Sequence, residues 1–293
     1  MLSQEIRFVL RKVPQLQTGG LAVARGLHNA VLKGGSGVRR VADFLHGTWL
    51  GHPLHPVLTD ATLGAWFMAA PFDLLGLVSG SARRAADQLT ILGVITAVPT
   101  ALAGMLDFST IKRGAAGRGA LHGLLNTVAL VLYASSARAR QQDRRFVGVM
   151  YSMLGLGVVS ASAWLGGELV YRLRIGVNHT TAGREPQDWA AVGADAELAE
   201  GQALRVEVNG DPVLLYRHAG AIYATSAVCS HAGGPLDEGM FDGTCVQCPW
   251  HDSVFDLRSG EVVHGPATYH LPAYDVRTTD GQIEIRVRQE TAQ

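Results

Sequence analysis

The sequence predicts an α + β multidomain chain, in which a four-helix transmembrane bundle is followed by an all-β antiparallel sandwich. Two observations point to this fold class. Four long stretches in the first part lack lysine and arginine, and short strand-like segments with turn signals fill the last third. The length of 293 residues suits two ordinary domains. The expected divisions are a basic, amphipathic N-terminal segment at 1–51, the transmembrane bundle at 52–171, a linker at 172–187 and the β domain at 188–290.

The N-terminal segment mixes apolar and basic side chains. Its residues 1–12 suit an amphipathic helix on an anionic membrane surface, with a frayed tail as the alternative. A cleavable signal peptide is not expected, since the longest early apolar run covers only residues 8–10. Residues 32–37 are rich in glycine and are expected to form a linker before the bundle.

The four stretches without basic residues are each long enough to cross a bilayer, which takes roughly 20 helical residues. They cover 57–80, 88–107, 119–137 and 147–170. A soluble bundle of buried helices is the alternative, but four segments that are apolar all round leave no polar face for water. We therefore expect a multi-pass protein of a bacterial-type plasma membrane, with the lipid bilayer as its first partner.

The side of the membrane is predicted from the basic residues outside the four stretches. More lysines and arginines flank the bundle on the side of both termini than on the other side, which favours cytoplasmic termini and a cytoplasmic β domain. The pair Arg144-Arg145 directly before the fourth stretch leaves export of the β domain as the alternative.

Short strands alternate with turn signals from Trp189 onward. The dipeptides Asn209-Gly210 and Asp280-Gly281 mark two tight turns. The strands expected around these turns and after them cover 203–208, 212–216, 222–225 and 282–287. This pattern predicts the all-β domain.

Two short loops of the β domain carry side chains that bind metals. One loop holds Cys229 and His231, and the other holds Cys248 and His251. A structural zinc site would place all four on one ion. A Rieske centre instead places two cysteines on one iron and two histidines on the other. Because each loop supplies one cysteine and one histidine, the spacing favours the [2Fe–2S] cluster.

Residues 186–289 resemble Rieske ferredoxin domains along their whole length. The matching motifs are Cys229-Ser230-His231-Ala232-Gly233-Gly234-Pro235-Leu236, Cys248-Pro249-Trp250-His251, Phe255-Asp256, Ser259-Gly260 and Gly265-Pro266-Ala267. The resemblance implies one [2Fe–2S] cluster per chain, bound by Cys229, His231, Cys248 and His251. It also implies that the domain moves one electron at a time.

The sequence departs from the cytochrome bc-type members of this family in two ways. Those members join the loops by a disulfide, whereas Gly234 and Trp250 stand at the corresponding positions here. They also place a serine and a tyrosine as hydrogen-bond donors near the cluster; Ser253 matches the serine and Phe255 replaces the tyrosine. Losing one donor predicts a reduction potential in the lower half of the Rieske range of roughly −150 to +300 mV.

The remaining sequence around the loops indicates electron transfer rather than stand-alone catalysis. Only 42 residues follow His251, too few for the large mononuclear-iron domain that Rieske oxygenases carry. Cys245 is expected to be a small buried hydrophobe, with a spare ligand or redox thiol as the alternative. Basic and acidic residues are equal in number, at 25 each, and a nucleic-acid partner is not expected.

Ionisable side chains of the predicted bundle gather at one membrane face, because helices one and three begin there and helices two and four end there. The candidate site residues at this face are His52, His55, Asp60, Asp107, His122, Asn126 and Glu168. Interfacial caps are the alternative reading. The three histidines suit a haem, a quinone head group or a metal ion. Asp73, near the opposite face, is expected to be interfacial.

Residues 46–175 are similar to a family of bacterial membrane domains called domain of unknown function 2231. The similarity rests on His52-Pro53-Leu54-His55-Pro56, Gly104-Met105-Leu106-Asp107, His122 with Asn126, and Gly166-Gly167-Glu168-Leu169-Val170-Tyr171. It implies four helices and no known activity.

Three functions are open at this point. The first is a membrane-anchored one-electron carrier that exchanges electrons with a quinone or haem at the bundle and with an unknown redox partner protein. The second is a tethered ferredoxin that serves a soluble oxygenase or reductase, with the bundle as an inert anchor. The third is a redox sensor, for which no feature of the sequence argues.

Overall fold

The computed structural model describes residues 13–180 and 185–288, and it divides the chain into two compact units. The first unit consists of Met1–Val38 and Pro53–Ile175, and the second of Arg39–His52 and Gly176–Gln293. The amphipathic helix expected at residues 1–12 lies outside the described residues. The second unit therefore joins the β domain to a segment that precedes the bundle in sequence, which the sequence did not predict.

Six α-helices lie in the described part of the chain before the β domain. They are α1 (Pro14–Lys33), α2 (Gly35–His46), α3 (Leu54–Leu75), α4 (Gly80–Ser109), α5 (Ala116–Gln141) and α6 (Arg145–Gly167), and a π-helical turn at Glu168–Arg172 continues α6. The linker expected at 32–37 is wrong, because only Gly34 interrupts the helical run there. A glycine costs a helix only about 1 kcal/mol, which neighbouring helix-forming residues offset.

Within residues 13–180 and 185–288, three helical segments are long and apolar enough to cross a membrane. They are Gly80–Ser109, Arg113–Gln141 and Arg145–Arg172. Helix α3 has 22 residues, which is a sufficient length, but it includes His55, Asp60 and Asp73 and is not one of these three segments. The expected count of four spanning helices therefore stays a prediction.

The helices of the first unit pack as two hairpins, α3 with α4 and α5 with α6. The hairpins meet through Trp66 of α3 and Tyr133 of α5, whose rings stack with centroids 4.1 Å apart and planes within 2° of parallel. Ala129 and Val159 are buried around this stack. Helix α1 packs against the start of α5, where Gly20 lies on the Ala116 carbonyl.

A buried network of charges joins the four helices at the end of the bundle where α3 ends. The guanidinium of Arg140 donates hydrogen bonds of 2.7 and 2.8 Å to Asp73 and Asp87, and Arg145 donates to the same two carboxylates at 2.8 Å. Asp73 was expected to be interfacial, but it is only 7% exposed. Burial of this carboxylate is tolerated because two arginines neutralise it. The position of Asp73 in its own helix does not reveal this pairing.

The β domain of the second unit consists of two antiparallel sheets. The six-stranded sheet has the order β1-β10-β9-β4-β3-β2, and the four-stranded sheet has the order β5-β6-β7-β8. The strands are β1 (Ala190–Ala194), β2 (Ala203–Val208), β3 (Asp211–His218), β4 (Ala221–Ser226), β5 (Met240–Asp242), β6 (Cys245–Gln247), β7 (Val254–Asp256), β8 (Val262–His264), β9 (Ala273–Thr279) and β10 (Gln282–Val287).

The strands expected from the turn signals are confirmed, and the turns explain the register. Asn209 and Gly210 both have positive φ, as a type I′ hairpin requires, so Val208 pairs with Asp211. Asp280 and Gly281 form the equivalent turn between β9 and β10. Leu214 and Phe255, one from each sheet, belong to one fully buried cluster, which positions the loops between the strands.

A candidate metal centre in the β domain

Two loops of the β domain have closely similar backbone hydrogen bonds. In the first loop, which follows β4, Cys229 donates its N–H to the Gly234 carbonyl at 2.8 Å, and its carbonyl accepts from Gly233. In the second, between β6 and β7, Cys248 donates to the Ser253 carbonyl at 2.8 Å, and its carbonyl accepts from Asp252. Each loop is therefore a closed turn that holds its cysteine in a fixed position.

The four side chains predicted as ligands converge between these loops. Both cysteines are buried, at 1% and 2% exposure, and the rings of His231 and His251 lie 5.0 Å apart with planes at 89°. The Nδ1 atom of each imidazole is buried. Two sulfurs and two buried ring nitrogens fit the donor set of a Rieske cluster.

Backbone N–H groups surround both sulfurs. The N–H groups of His231 and Ala232 donate to Cys229, and those of Trp250 and His251 donate to Cys248. The pKa of Cys248 is lowered to about 7, mainly because the Cys229 thiol donates a hydrogen bond to the Cys248 sulfur. The same hydrogen bond, together with burial, raises the pKa of Cys229. The site therefore favours a thiolate, which is the form that binds iron.

The first loop has no space for the additional cysteine of the bc-type relatives. A Cβ atom on Gly234 would lie 2.7 Å from the Cys248 sulfur and 3.2 Å from the Trp250 ring. A side chain at this position would displace one of the predicted ligands. Trp250 itself is 51% exposed beside the loop.

Ser253 lies directly behind the second loop. Its side chain is fully buried, and its hydroxyl accepts a 3.0 Å hydrogen bond from the N–H of Ala267 in a third loop, which connects β8 to β9. The hydroxyl proton remains to be donated, as the predicted role at a cluster sulfur requires. Phe255, which is also fully buried, offers no donor.

We expect a Ser253→Ala substitution to lower the reduction potential of the protein by about 40–90 mV. This corresponds to losing ~1–2 kcal/mol of hydrogen bonding to the reduced state in a one-electron couple. The measurement is a redox titration followed by electron paramagnetic resonance. The control is Ser259→Ala, because Ser259 is exposed and bonds only Glu261. Equal potentials for Ser253→Ala and the wild type would show that Ser253 donates nothing to the centre.

The segment Arg39–His52 packs against the third loop, and sequence reasoning missed it. The carboxylate of Asp43 accepts a 2.9 Å hydrogen bond from the Gly265 N–H and lies 2.9 Å from His264 Nδ1. Arg39 donates to the carbonyl of Asp252, which directly follows His251. A partner more than two hundred residues away in sequence gives no local signal, so only the structure could find this contact.

Cys245 begins β6, where it pairs with Asp242 of β5 and Asp256 of β7. It is half-buried, and desolvation raises the pKa of its thiol. Its place on a strand puts Cys245 outside the two loops that bring the predicted ligands together, and its expected role as a small packed side chain stays a prediction.

The residues expected to form a membrane-face site are only partly brought together. His55 and His122 of the first unit lie edge to face with ring centroids 6.4 Å apart, and Asn126 donates to Nε2 of His122 at 3.0 Å. Glu168 is buried beside Arg172, with Arg118 at 3.6 Å. Of the other three predicted residues, Asp60 is exposed, Asp107 is half-buried and His52 falls in the second unit.

Comparisons with family models match both parts of the chain. Residues 188–275 match the Rieske [2Fe–2S] domain, and residues 51–179 match the predicted membrane protein family DUF2231. These matches agree with the resemblances found in the sequence.

Several ferredoxin components of dioxygenase systems each match about a third of this chain. The anthranilate 1,2-dioxygenase ferredoxin subunit of Burkholderia cepacia is 31% identical over 100 residues, which are 34% of this chain and 93% of that protein. The 3-phenylpropionate/cinnamic acid dioxygenase ferredoxin subunit of Photorhabdus laumondii is 38% identical over 95 residues, which are 32% and 90%. The solved ferredoxin of carbazole 1,9a-dioxygenase from Nocardioides aromaticivorans is 31% identical, with a TM-score of 0.33, and covers 34% of this chain and 98% of its own.

Proposed function

The chain belongs to the Rieske [2Fe–2S] domain family through residues 188–275, and on this premise we propose that it is a membrane-anchored one-electron carrier. The observation that carries the proposal is the convergence of two cysteine–histidine loops with backbone N–H groups on both sulfurs. A Rieske domain implies a [2Fe–2S] cluster, which takes up and releases one electron when bound.

The proposed ligands are Cys229 and Cys248 for one iron, and His231 and His251 for the other. The N–H groups on the sulfurs stabilise negative charge, and the buried hydroxyl of Ser253 adds a further donor near the site. The closed turns fix the loops, so little rearrangement is needed when an electron arrives. The residues of the β domain thus orient and insulate the centre and catalyse no bond chemistry themselves.

We propose that residues 52–171 anchor the carrier in the membrane, with 172–187 as the linker to the β domain at 188–290. The match to a predicted membrane protein family and the three long apolar helices support this anchoring. A cytoplasmic position of the β domain is supported by the surplus of basic residues on the side of the termini. It also fits three cysteines that form no disulfide. Export remains the alternative.

The electron is proposed to pass between a redox group at the membrane domain, a quinone or a haem, and a separate partner protein. A second candidate is a tethered ferredoxin that serves a soluble oxygenase or reductase. The similar proteins from other bacteria favour this second candidate, since they are named as ferredoxin subunits of dioxygenases. The redox-sensor hypothesis has no support among the contacts of the described residues.

The proposal is tested with the full-length protein in liposomes. Dithionite should produce the resonance signal of a reduced Rieske centre, in proportion to the protein. The reductants to compare are then a lipid-soluble quinol and a soluble NADH-dependent ferredoxin reductase. Reduction by the quinol supports exchange at the membrane domain, whereas reduction by the reductase alone favours the tethered ferredoxin. Absence of the signal in iron-replete protein would refute the carrier.

A further inference from the structure

The two helical hairpins of the first unit repeat the same histidine contact. His55 of α3 lies 2.9 Å, through Nδ1, from the carbonyl of Thr100 in α4. His122 of α5 lies 3.0 Å, also through Nδ1, from the carbonyl of Ser162 in α6. His55 and His122 are 67 residues apart in sequence, and the accepting residues Thr100 and Ser162 are 62 apart. The second hairpin therefore repeats the first, with α5 in the place of α3 and α6 in the place of α4.

The same two offsets hold along the whole bundle. Trp66 and Tyr133 are 67 residues apart, and each ring covers a glycine of its partner helix, Gly93 and Gly155, which are 62 apart. Because the two rings stack on each other, the hairpins meet around an approximate twofold axis. His55 and His122 are therefore equivalent side chains that face each other across this axis.

The backbone contacts set the chemistry of both imidazoles. When Nδ1–H donates to a carbonyl, the tautomer is fixed and Nε2 keeps its lone pair, as in histidines that bind metals. The close approach depends on glycine, because a Cβ on Gly104 would lie 2.8 Å from Cε1 of His55 and one on Gly166 would lie 3.2 Å from Cε1 of His122. Each ring is thus fixed in position with the lone pair of its Nε2 atom able to bind a metal.

We propose that His55 and His122 are the two axial ligands of a haem in the membrane domain. At the ~2.0–2.1 Å distance of imidazole nitrogens from a metal, two rings on opposite sides of one ion have centroids roughly 6 Å apart. The observed centroid distance is 6.4 Å, with the ring planes at 84°. Helical bundles build cofactor sites in this way, from side chains on facing helices.

The number of ligands favours a haem over a bare ion. Among the described residues of the first unit, no third histidine, cysteine, aspartate or glutamate joins His55 and His122 in a group that could hold a metal ion. A bare ion at His55 and His122 would therefore have two protein ligands, whereas a haem brings four nitrogens of its own and needs only axial ones.

Binding of a cofactor at this place requires one hydrogen bond to be broken. One turn further along α5, Asn126 donates to Nε2 of His122 at 3.0 Å and would have to turn away. Two turns along, Thr62 of α3 and Ala129 of α5 occupy equivalent buried positions. The bulky Trp66–Tyr133 stack follows only a turn later.

This inference rests on the proposed function, because it names the redox group at the membrane domain. The two proposals are nevertheless tested by separate measurements. A haem is read from its Soret and α bands and from the pyridine haemochrome assay. The cluster is read from its resonance signal. Each centre is therefore observed in the presence or absence of the other.

The experiment uses full-length protein produced with added iron and 5-aminolevulinate and purified in detergent. We expect a Soret band and a narrow α band on reduction, with haem stoichiometric with the chain. His55→Ala and His122→Ala should each lose at least most of the reduced α band while retaining the cluster signal. His28→Ala in α1 is the matched histidine control and should keep the bands.

A variant whose helical unit fails to fold is recognised by loss of the helical circular dichroism signal and is replaced by His55→Gly with added imidazole, which should restore the bands. Wild-type protein without haem bands, after production with 5-aminolevulinate and after incubation with hemin, would overturn the inference and leave the cluster carrier standing. Haem bands that persist in both histidine variants would overturn the assignment of the ligands. Haem bands without a cluster signal would instead contradict the proposed function.

Discussion

A Cys248→Ser variant is expected to lose the [2Fe–2S] cluster and with it all one-electron transfer by the β domain. Cys248 is buried, receives N–H groups from Trp250 and His251, and has its pKa lowered to about 7, so it is prepared to bind as a thiolate. A serine hydroxyl stays protonated at neutral pH. Changes beside metal ligands already cost about 10–100-fold in metal affinity, so losing a ligand should cost more. Iron content and the resonance signal of the reduced protein measure the effect.

Cys245→Ser is the matched control for this variant. Cys245 is three residues away on the same strand and loop but pairs with Asp256 across β7, and its thiol pKa is raised. It should retain full iron content and an unchanged signal. An intact cluster in Cys248→Ser would refute the assignment of this ligand, and a lost cluster in Cys245→Ser would make Cys245 a ligand in its place.

Arg140→Met is expected to destabilise the helical unit by about 3–5 kcal/mol, the usual result of removing one partner from a buried ion pair. Arg140 joins Asp73 of α3, Asp87 of α4 and Ser152 of α6, and its side chain is only 3% exposed. The substitution keeps the length of the side chain but leaves the buried Asp73 with Arg145 as its remaining cation. The measurement is unfolding of the detergent-solubilised protein by added denaturing detergent, followed by circular dichroism.

Arg138→Met is the control for this prediction, because Arg138 lies two residues earlier on α5 and is exposed. Its effect should stay within ~0.5 kcal/mol. The double variant Asp73→Asn with Arg140→Met should recover part of the loss, since the buried negative charge that Arg145 alone would balance is then removed. If Arg140→Met and Arg138→Met unfold at the same detergent concentration, the network does not stabilise the bundle.

The β domain was predictable because its signals are local. The turns at Asn209-Gly210 and Asp280-Gly281 need positive φ, and few residues other than asparagine, aspartate and glycine adopt it readily. These dipeptides therefore predicted both hairpins. The cluster motif was equally local, because Cys229 and Cys248 each sit in a loop that closes on itself within five residues.

The helical part was predictable in its elements but not in its contacts. A long apolar stretch predicts a helix and its approximate ends. It does not predict that Asp73 is buried, because the compensating guanidinium comes from Arg140 on another helix. For the same reason, the seven residues expected at one membrane face could not be sorted into the His55–His122 pair and the others.

The family, the order of the parts, four of the strands, the spans of the helices and the four candidate ligands were all read from the sequence. These features depend on short-range backbone chemistry and on hydrophobicity, and neighbouring residues therefore carry the information. Three contacts became visible only in the folded chain: Asp43 packs against the third loop, Arg140 neutralises Asp73, and His55 faces His122. Each of these contacts joins residues that are far apart in sequence. The charge or shape of one residue suits many possible partners, so the packing of whole helices and loops selects the partner that it meets.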